Sequence, residues 1–303
     1  MSVALAVDVG GTKLAVGLVG SGGDILMSRR CPTDRDDPWS ALARLIDEVM
    51  SATREGTIEG ETIAVCGAGC GGPMSPGGET VSPLNIGNWR RFPLRSKLAS
   101  LTGLPAFVDN DAKALALAEG WVGAARGVAN YLAMVVSTGV GGGIVLDGRL
   151  LDGTTGNAGH IGHIVVEPEG RACVCGSRGC LEAEASGLAI EAVTGIPASE
   201  ASPSTIERTG VLVGRAVAAV AALLDIELTV VAGSVALGFG ASFFAAAQRE
   251  LDRVCRIDFA LGGRIQPAGL GPAGPLVGAA AVGLRGIDRL SLASSPQPPV
   301  SLG

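Results

Sequence analysis

Apolar positions near the start of the chain are almost continuous from Val3 to Val9, break at Gly10-Gly11-Thr12, and resume from Leu14 to Val19. Short apolar runs bounded by glycine predict buried strands, so the segment reads as strand, turn, strand. The spacing then becomes helical. Trp39, Leu42, Leu45, Ile46, Val49 and Met50 fall on one face, behind Asp37 as N-cap and Pro38 at the first helical position. Further strands are predicted at Thr62 to Cys66 and Pro105 to Val108, with a helix from Asp111 to Trp121. A second hairpin follows: Tyr131 to Val136 as strand, Ser137 to Gly143 as turn, Ile144 to Leu146 as strand. A long helix from Thr205 to Leu224, a strand from Leu228 to Val231 and a glycine-rich helix from Gly274 to Leu290 complete an α/β pattern. The Ser- and Pro-rich stretch 291–303 is expected to be disordered.

The two hairpins share the order buried strand, Gly/Thr turn, returning strand, which predicts two similar lobes, each presenting one loop. A length of 303 residues fits that, being twice the prior of about 150 for one domain.

Composition narrows the partners. Hydrophobic residues make up 47% and charged residues 17% of the chain, so a sizeable core is available and disorder is excluded. Net charge is −6 and no run of five like charges occurs, which argues against a nucleic-acid surface and for small-molecule partners. The longest apolar stretch, Ala216 to Leu224, is closed by Arg215 and Asp225 and is too short to span a membrane. Asp8 interrupts the only N-terminal apolar run, so no signal peptide is evident and a cytoplasmic location is expected.

Glycine is the outlier, at 47 residues. In the two Gly/Thr turns, backbone N–H groups free of a neighbouring Cβ could approach phosphoryl oxygens, although ordinary hairpins use the same residues. Neither turn fits the P-loop pattern. Gly67, Gly69 and Gly72 spell the dinucleotide fingerprint, but Pro73, Pro76 and Gly77-Gly78 follow where its helix should start, so that site is rejected. The chain has only two histidines, His160 and His163, and both precede Cys173, Cys175 and Cys180. Three thiolates and one imidazole are the closed tetrahedral set of structural zinc. Asn110-Asp111 ends a strand, where open α/β sheets place ligand groups; Asp111 could equally cap a helix.

Asp8-x-Gly10-Gly11-Thr12-Lys13, Asn110-Asp111-Ala112, the loop from Ser137 to Gly143 and Cys173-x-Cys175-Gly176-x-x-Gly179-Cys180-Leu181-Glu182 together resemble the ROK family of bacterial sugar kinases and sugar-responsive repressors. The resemblance spans residues 3 to about 290. It implies two ribonuclease-H-like lobes of the actin and hexokinase superfamily around a cleft: an N-terminal lobe, 1–115, rejoined by the helix at 274–290, and a larger lobe, 116–273, carrying a zinc loop at 160–182. It implies an ATP- and Mg²⁺-dependent hexose kinase, usually acting at O6, that forms a homodimer or homotetramer.

By that resemblance Asp111 is the general base and Asn110 holds a neighbouring hydroxyl. Asp8 orients Mg²⁺ through water; Gly10, Gly11, Thr12, Lys13, Thr138 and Gly139 surround the phosphates, and Gly233 lines the adenosine pocket. Gly72, His163 and Glu182 serve the sugar or its loop, and His163 joins Cys173, Cys175 and Cys180 on zinc. One departure bears on substrate choice. The family pattern Glu-x-Gly-His here reads His160-Ile161-Gly162-His163, so an imidazole with one donor and one acceptor replaces a carboxylate. Glucose is the first candidate substrate, with mannose and the N-acetylhexosamines next. The rival expectation is a weakly catalytic or inactive sugar-binding regulator without a DNA-binding domain.

Overall fold

The computed structural model describes residues 2–54, 62–288 and 292, so the expected disorder of 291–303 falls, Leu292 apart, outside the described residues. The chain divides into two compact units. One comprises Met1–Val122, Asp152–Ala158 and Leu270–Ser291; the other comprises Gly123–Leu151, Gly159–Gly269 and Leu292–Gly303.

In the first unit, β1 (Ser2–Val9), β2 (Lys13–Val19), β3 (Ile25–Pro32), β4 (Thr62–Cys70) and β5 (Ala106–Asn110) form a sheet in the order β3-β2-β1-β4-β5. β1 is antiparallel to β2 and parallel to β4, and β4 is parallel to β5. Helix α1 (Pro38–Arg54) supplies Leu42, Ile46 and Val49 to the core on one face, where α2 (Leu94–Thr102) adds Leu94 and Leu98. The other face, built from Ala4, Ala6, Ala15 and Val65, receives Leu276, Ala279, Ala280 and Leu284 of the C-terminal helix at 274–286. Asp37 caps α1 as expected, its Oδ1 accepting the Ser40 N–H at 3.1 Å.

The second unit repeats the scheme. Strands β6 (Tyr131–Val136), β7 (Val140–Leu146), β8 (Arg149–Leu150), β9 (Leu228–Ala232) and β10 (Arg264–Pro267) follow the order β8-β7-β6-β9-β10. β6 is antiparallel to β7 and parallel to β9, as β1 is to β2 and β4. Its core joins Leu132, Met134 and Val231 of the sheet to Val213, Val217 and Phe243 of the helices at 203–224 and 234–254. The helices of this unit are α4 (Leu181–Ala185), α5 (Gly187–Thr194), α6 (Pro203–Leu224) and α7 (Ser234–Val254); α3 (Asp111–Val122) and α8 (Gly274–Gly286) belong to the first.

Two expectations change. The second turn is shorter than Ser137 to Gly143: β7 already begins at Val140, and Gly141, Gly142 and Gly143 pair with Val135, Met134 and Ala133. These glycines serve the strand's neighbour. A Cβ at Gly142 would lie 3.0 Å from Ile161 and 3.1 Å from the Gly159 carbonyl, so the bare strand lets the loop at 159–162 settle on it. Sequence patterning also leaves out β3, α2, α7 and β10, all of which the structure contains.

Candidate active site

The first unit gathers its polar groups at the carboxyl ends of its parallel strands, where open α/β sheets expose ligand-binding chemistry. β1 ends with Asp8 and Val9, which pair with Gly69 and Cys70 of β4, and Gly69 and Cys70 pair in turn with Asp109 and Asn110 of β5. Beyond β1 the turn closes through the Gly10 N–H donating to the Lys13 carbonyl at 3.1 Å. Thr33 braces it, its hydroxyl donating to the Gly10 carbonyl at 2.7 Å. Thr12 and Lys13 are exposed, and Gly11 packs against Asn85. Gly72 follows β4 and is half-buried.

Asp111 opens α3 and is exposed. Its Oδ1 lies 2.9 Å from the Ala112 N–H, which Asn110 Oδ1 also accepts at 3.0 Å, so both side chains are held over the first turn of the helix. The helix dipole favours an anion there. Asp8 is buried, and its pKa is pushed up to about 7, first by burial and then by the Asp111 charge, with Lys13 acting against both. Two neighbouring carboxylates that raise each other's cost of ionisation form a place where a divalent cation would relieve repulsion.

The second unit carries the matching turn between β6 and β7. Ser137 N–H donates to the Gly139 carbonyl at 2.9 Å, and the Ser137 carbonyl accepts from Gly187 at 2.7 Å. Ser137 Oγ is 2.9 Å from Ser234 Oγ at the start of α7. Gly233 stands between β9 and α7 with φ 102°, where a Cβ would strike the Val136 carbonyl. Thr138 and Ser234 border a cavity of about 520 Å³ lined by Leu188, Glu191, Val235 and Phe239 among others. Its position beside a glycine turn, a helix N-terminus and apolar walls suits a nucleoside.

Four ligand atoms from His163, Cys173, Cys175 and Cys180 lie within 4.8 Å of one another. Cys175 Sγ is 3.7 Å from Cys180 Sγ, and Cys173 Sγ is 3.7 Å from His163 Nδ1. A tetrahedron with Zn–S bonds of about 2.3 Å has edges of about 3.8 Å, so the spacing fits zinc. His163 is the histidine of this cluster; the His160 ring lies parallel to it, 13° from coplanar and 6.1 Å away. Hydrogen bonds lower the Cys175 thiol, first from the Ser177 backbone and next from Cys173, whereas burial and the neighbouring thiols push Cys180 up to about 12. α4 starts directly after Cys180. There Glu182 Oε2 accepts the Val140 N–H at 2.9 Å, tying the cysteine loop to the β6–β7 turn.

The ROK family model matches residues 4–285. The chain belongs to the ROK family. Among its relatives, glucokinase of Halalkalibacterium halodurans is 38% identical over 80% of this chain and 76% of that protein. N-acetylmannosamine kinase of Haemophilus influenzae is 36% identical over 78% of this chain and 82% of its own. The crystal structure of a ROK family glucokinase from Streptomyces griseus with glucose and AMPPNP superposes with a TM-score of 0.78 at 30% identity, covering 93% of this chain and 99% of the other. These likenesses place the chain among the sugar kinases of the ROK family, on an actin and hexokinase-like fold.

Sequence reasoning left several groups of this ROK protein unassigned. Leu188, Glu191, Val235 and Phe239 carry no motif, and only the cavity brings them together. Glu184 is another: it is buried, takes the Arg171 N–H and the Arg208 guanidinium at 2.6 Å each, and braces the cysteine loop from behind. Its place two residues after Glu182 in an apolar setting was the available signal. Gly67 and Gly69 of the Gly-x-Gly-x-x-Gly pattern lie inside β4, and the next helical element is one turn of 3-10 helix, Pro76–Gly78. No helix among the described residues is long and apolar enough to cross a membrane.

Proposed function

We propose that this ROK family member transfers the γ-phosphoryl group of ATP to a hexose hydroxyl, O6 first among them, with glucose the leading substrate and mannose or an N-acetylhexosamine next. The observation that carries the reading is Asp111, an exposed carboxylate held at the start of α3 where the parallel strands end. A carboxylate there can take the proton of an attacking hydroxyl while Asn110 holds the hydroxyl beside it. The names of the relatives support a sugar acceptor and an adenine nucleotide donor.

The other residues divide the remaining work. Asp8 would hold Mg²⁺ through water, which when bound neutralises phosphate charge; the turn Gly10-Gly11-Thr12-Lys13 and the pair Thr138 and Gly139 would orient the phosphates through backbone N–H groups. Gly233 leaves room for the nucleoside, whose base fits the cavity walled by Leu188 and Phe239. His163, Cys173, Cys175 and Cys180 would hold a structural Zn²⁺ that stiffens the loop carrying His160, with Gly72, His160 and Glu182 contributing to sugar choice. His160 can hold one hydroxyl through a neutral nitrogen, with fewer acceptor sites than a carboxylate.

The test is ADP release from Mg·ATP across a panel of hexoses and N-acetylhexosamines, with Asp111→Asn as the blank. Sugar-dependent release that vanishes in the variant is the expected result. Silence across the panel, with sugar binding detectable by calorimetry, would turn the reading into a sugar-binding regulator.

A further inference from the structure

We infer that Lys113 is a positioning residue: its enclosed ammonium, held by Asp109, Asp152 and the Gly156 carbonyl, fixes the Asn110-Asp111 turn and the returning segment Asp152–Ala158 to one point. The role in turnover rests on the reading of Asp111 as the base, whereas the anchoring itself does not.

Lys113 lies two residues after Asp111 on the first turn of α3 and is only 2% exposed. Its Nζ is 2.8 Å from Asp109 Oδ1, 2.9 Å from Asp152 Oδ1 and 3.1 Å from the Gly156 carbonyl. An ammonium has three donors, and all three are used. Asp109 is the last residue but one of β5, and its Oδ1 also accepts the Asn110 N–H at 2.8 Å. One carboxylate therefore grips both sides of the residues proposed to touch the sugar.

The second arm is equally full. Asp152 takes Arg285 of α8 through both oxygens, at 3.2 and 2.6 Å, and Asn157 donates to the Met74 carbonyl at 3.1 Å. Asp152–Ala158 is a short piece of the first unit between two stretches of the second, and it leads directly into Gly159 and His160. Two carboxylates and two cations balance, so the enclosed ammonium gains its compensation only while β5, α3, α8 and this segment are all in register. Six residues further along α3, Glu119 also ties a returning segment to this helix, accepting the Leu270 N–H at 3.1 Å where the chain re-enters the first unit.

The experiment compares the full-length wild type with Lys113→Met and with Lys113→Met combined with Asp152→Asn, which removes the carboxylate charge left over. Hydrogen exchange is read by mass spectrometry on peptides covering 106–115 and 152–158. Both peptides should exchange at least about tenfold faster in Lys113→Met, while β1 and β2 stay within about twofold. The double variant should recover thermal stability yet keep the fast exchange and, in the sugar assay, a kcat at least about tenfold below wild type with nucleotide KM unchanged. Unchanged exchange in both variants overturns the anchoring. Exchange and kcat restored in the double variant also overturn it, showing that Lys113 only balances charge. A wild type that phosphorylates no sugar sinks the proposed reaction instead, and the exchange data still decide the anchoring. If Lys113→Met does not fold, the double variant and Asp152→Asn alone carry the same comparison.

Discussion

Glu182 accepts the backbone N–H of Val140 at 2.9 Å, so the residue after the cysteine loop is bonded directly to the turn that opens β7. A Cβ at the adjacent Gly139 would stand 2.8 Å from the same carboxylate oxygen. Gly139→Ala should therefore push Glu182 off Val140. Turnover is expected to fall about tenfold or more while the melting temperature moves by no more than a few degrees, because one half-buried hydrogen bond to a carboxylate is worth only about 1.5 to 3 kcal/mol. Steady-state kinetics beside thermal unfolding check it; equal losses in both would make the contact purely structural.

Asp111→Asn removes the proposed proton acceptor but keeps a side-chain oxygen that can still bond the Ala112 N–H. We expect kcat to drop about 10² to 10⁴ fold with little change in sugar affinity by calorimetry. Near-wild-type turnover would take Asp111 out of its proposed role.

The cysteine loop should bind one equivalent of zinc by elemental analysis. Cys175→Ser, at the exposed corner of the cluster, should lose that metal and weaken sugar affinity about 10 to 100 fold. Nucleotide affinity should hold to within about threefold, since the cavity beside Thr138 and Ser234 shares no residue with the cluster. A metal-free protein with full sugar affinity would refute the idea that zinc shapes the sugar loop.

His160→Glu restores two acceptor oxygens at a position exposed beside His163. If His160 serves the sugar, the variant should use glucose better at an unchanged zinc content. Loss of zinc instead would show that His160 belongs to the metal.

Glu250 of α7 is buried, and its carboxyl is held down to about 2, first by the Arg253 guanidinium and then by Arg215 against the penalty of burial. A carboxylate with a depressed folded pKa contributes its full stabilisation above the unfolded value of 4.5 and loses it as pH falls towards about 2. Thermal unfolding from pH 7 downward should show the wild type losing stability through that window. Glu250→Gln should start lower at pH 7 and follow a flatter course; identical slopes would exclude Glu250 from the acid transition.

Much of this was readable in the chain because the apolar pattern there is strict. Val3 to Val9 are buried throughout and Tyr131 to Val136 in all but the half-buried Val135, and Asp37 caps α1 by accepting the Ser40 N–H just ahead of the helix's apolar face. β3 was not readable, since Ser28, Arg29 and Arg30 face solvent and leave no alternation strong enough to count. α7 was hidden by Gly238 and Gly240, residues that normally argue against a helix, and Gly240 does break it with φ 61°. The glycines at 141–143 look like a loop and are a strand, because what they accommodate, the segment 159–162, is distant in sequence. The three cysteines were legible from spacing, while the choice of His163 over His160 came only with the family resemblance; the cavity was not legible, being assembled from three helices and a turn.

The C-terminal position of α8 has a consequence for biosynthesis. All five strands of the first sheet lie before residue 111, yet the side chains that cover Ala4, Ala6 and Val65 arrive only with Leu276 to Leu284. As the chain leaves the ribosome, that face waits for its helix while residues 123–269 are synthesised. Within this chain the first sheet is thus begun early and finished late, and a chain cut short before residue 274 would carry a bare apolar sheet face, open to aggregation or proteolysis.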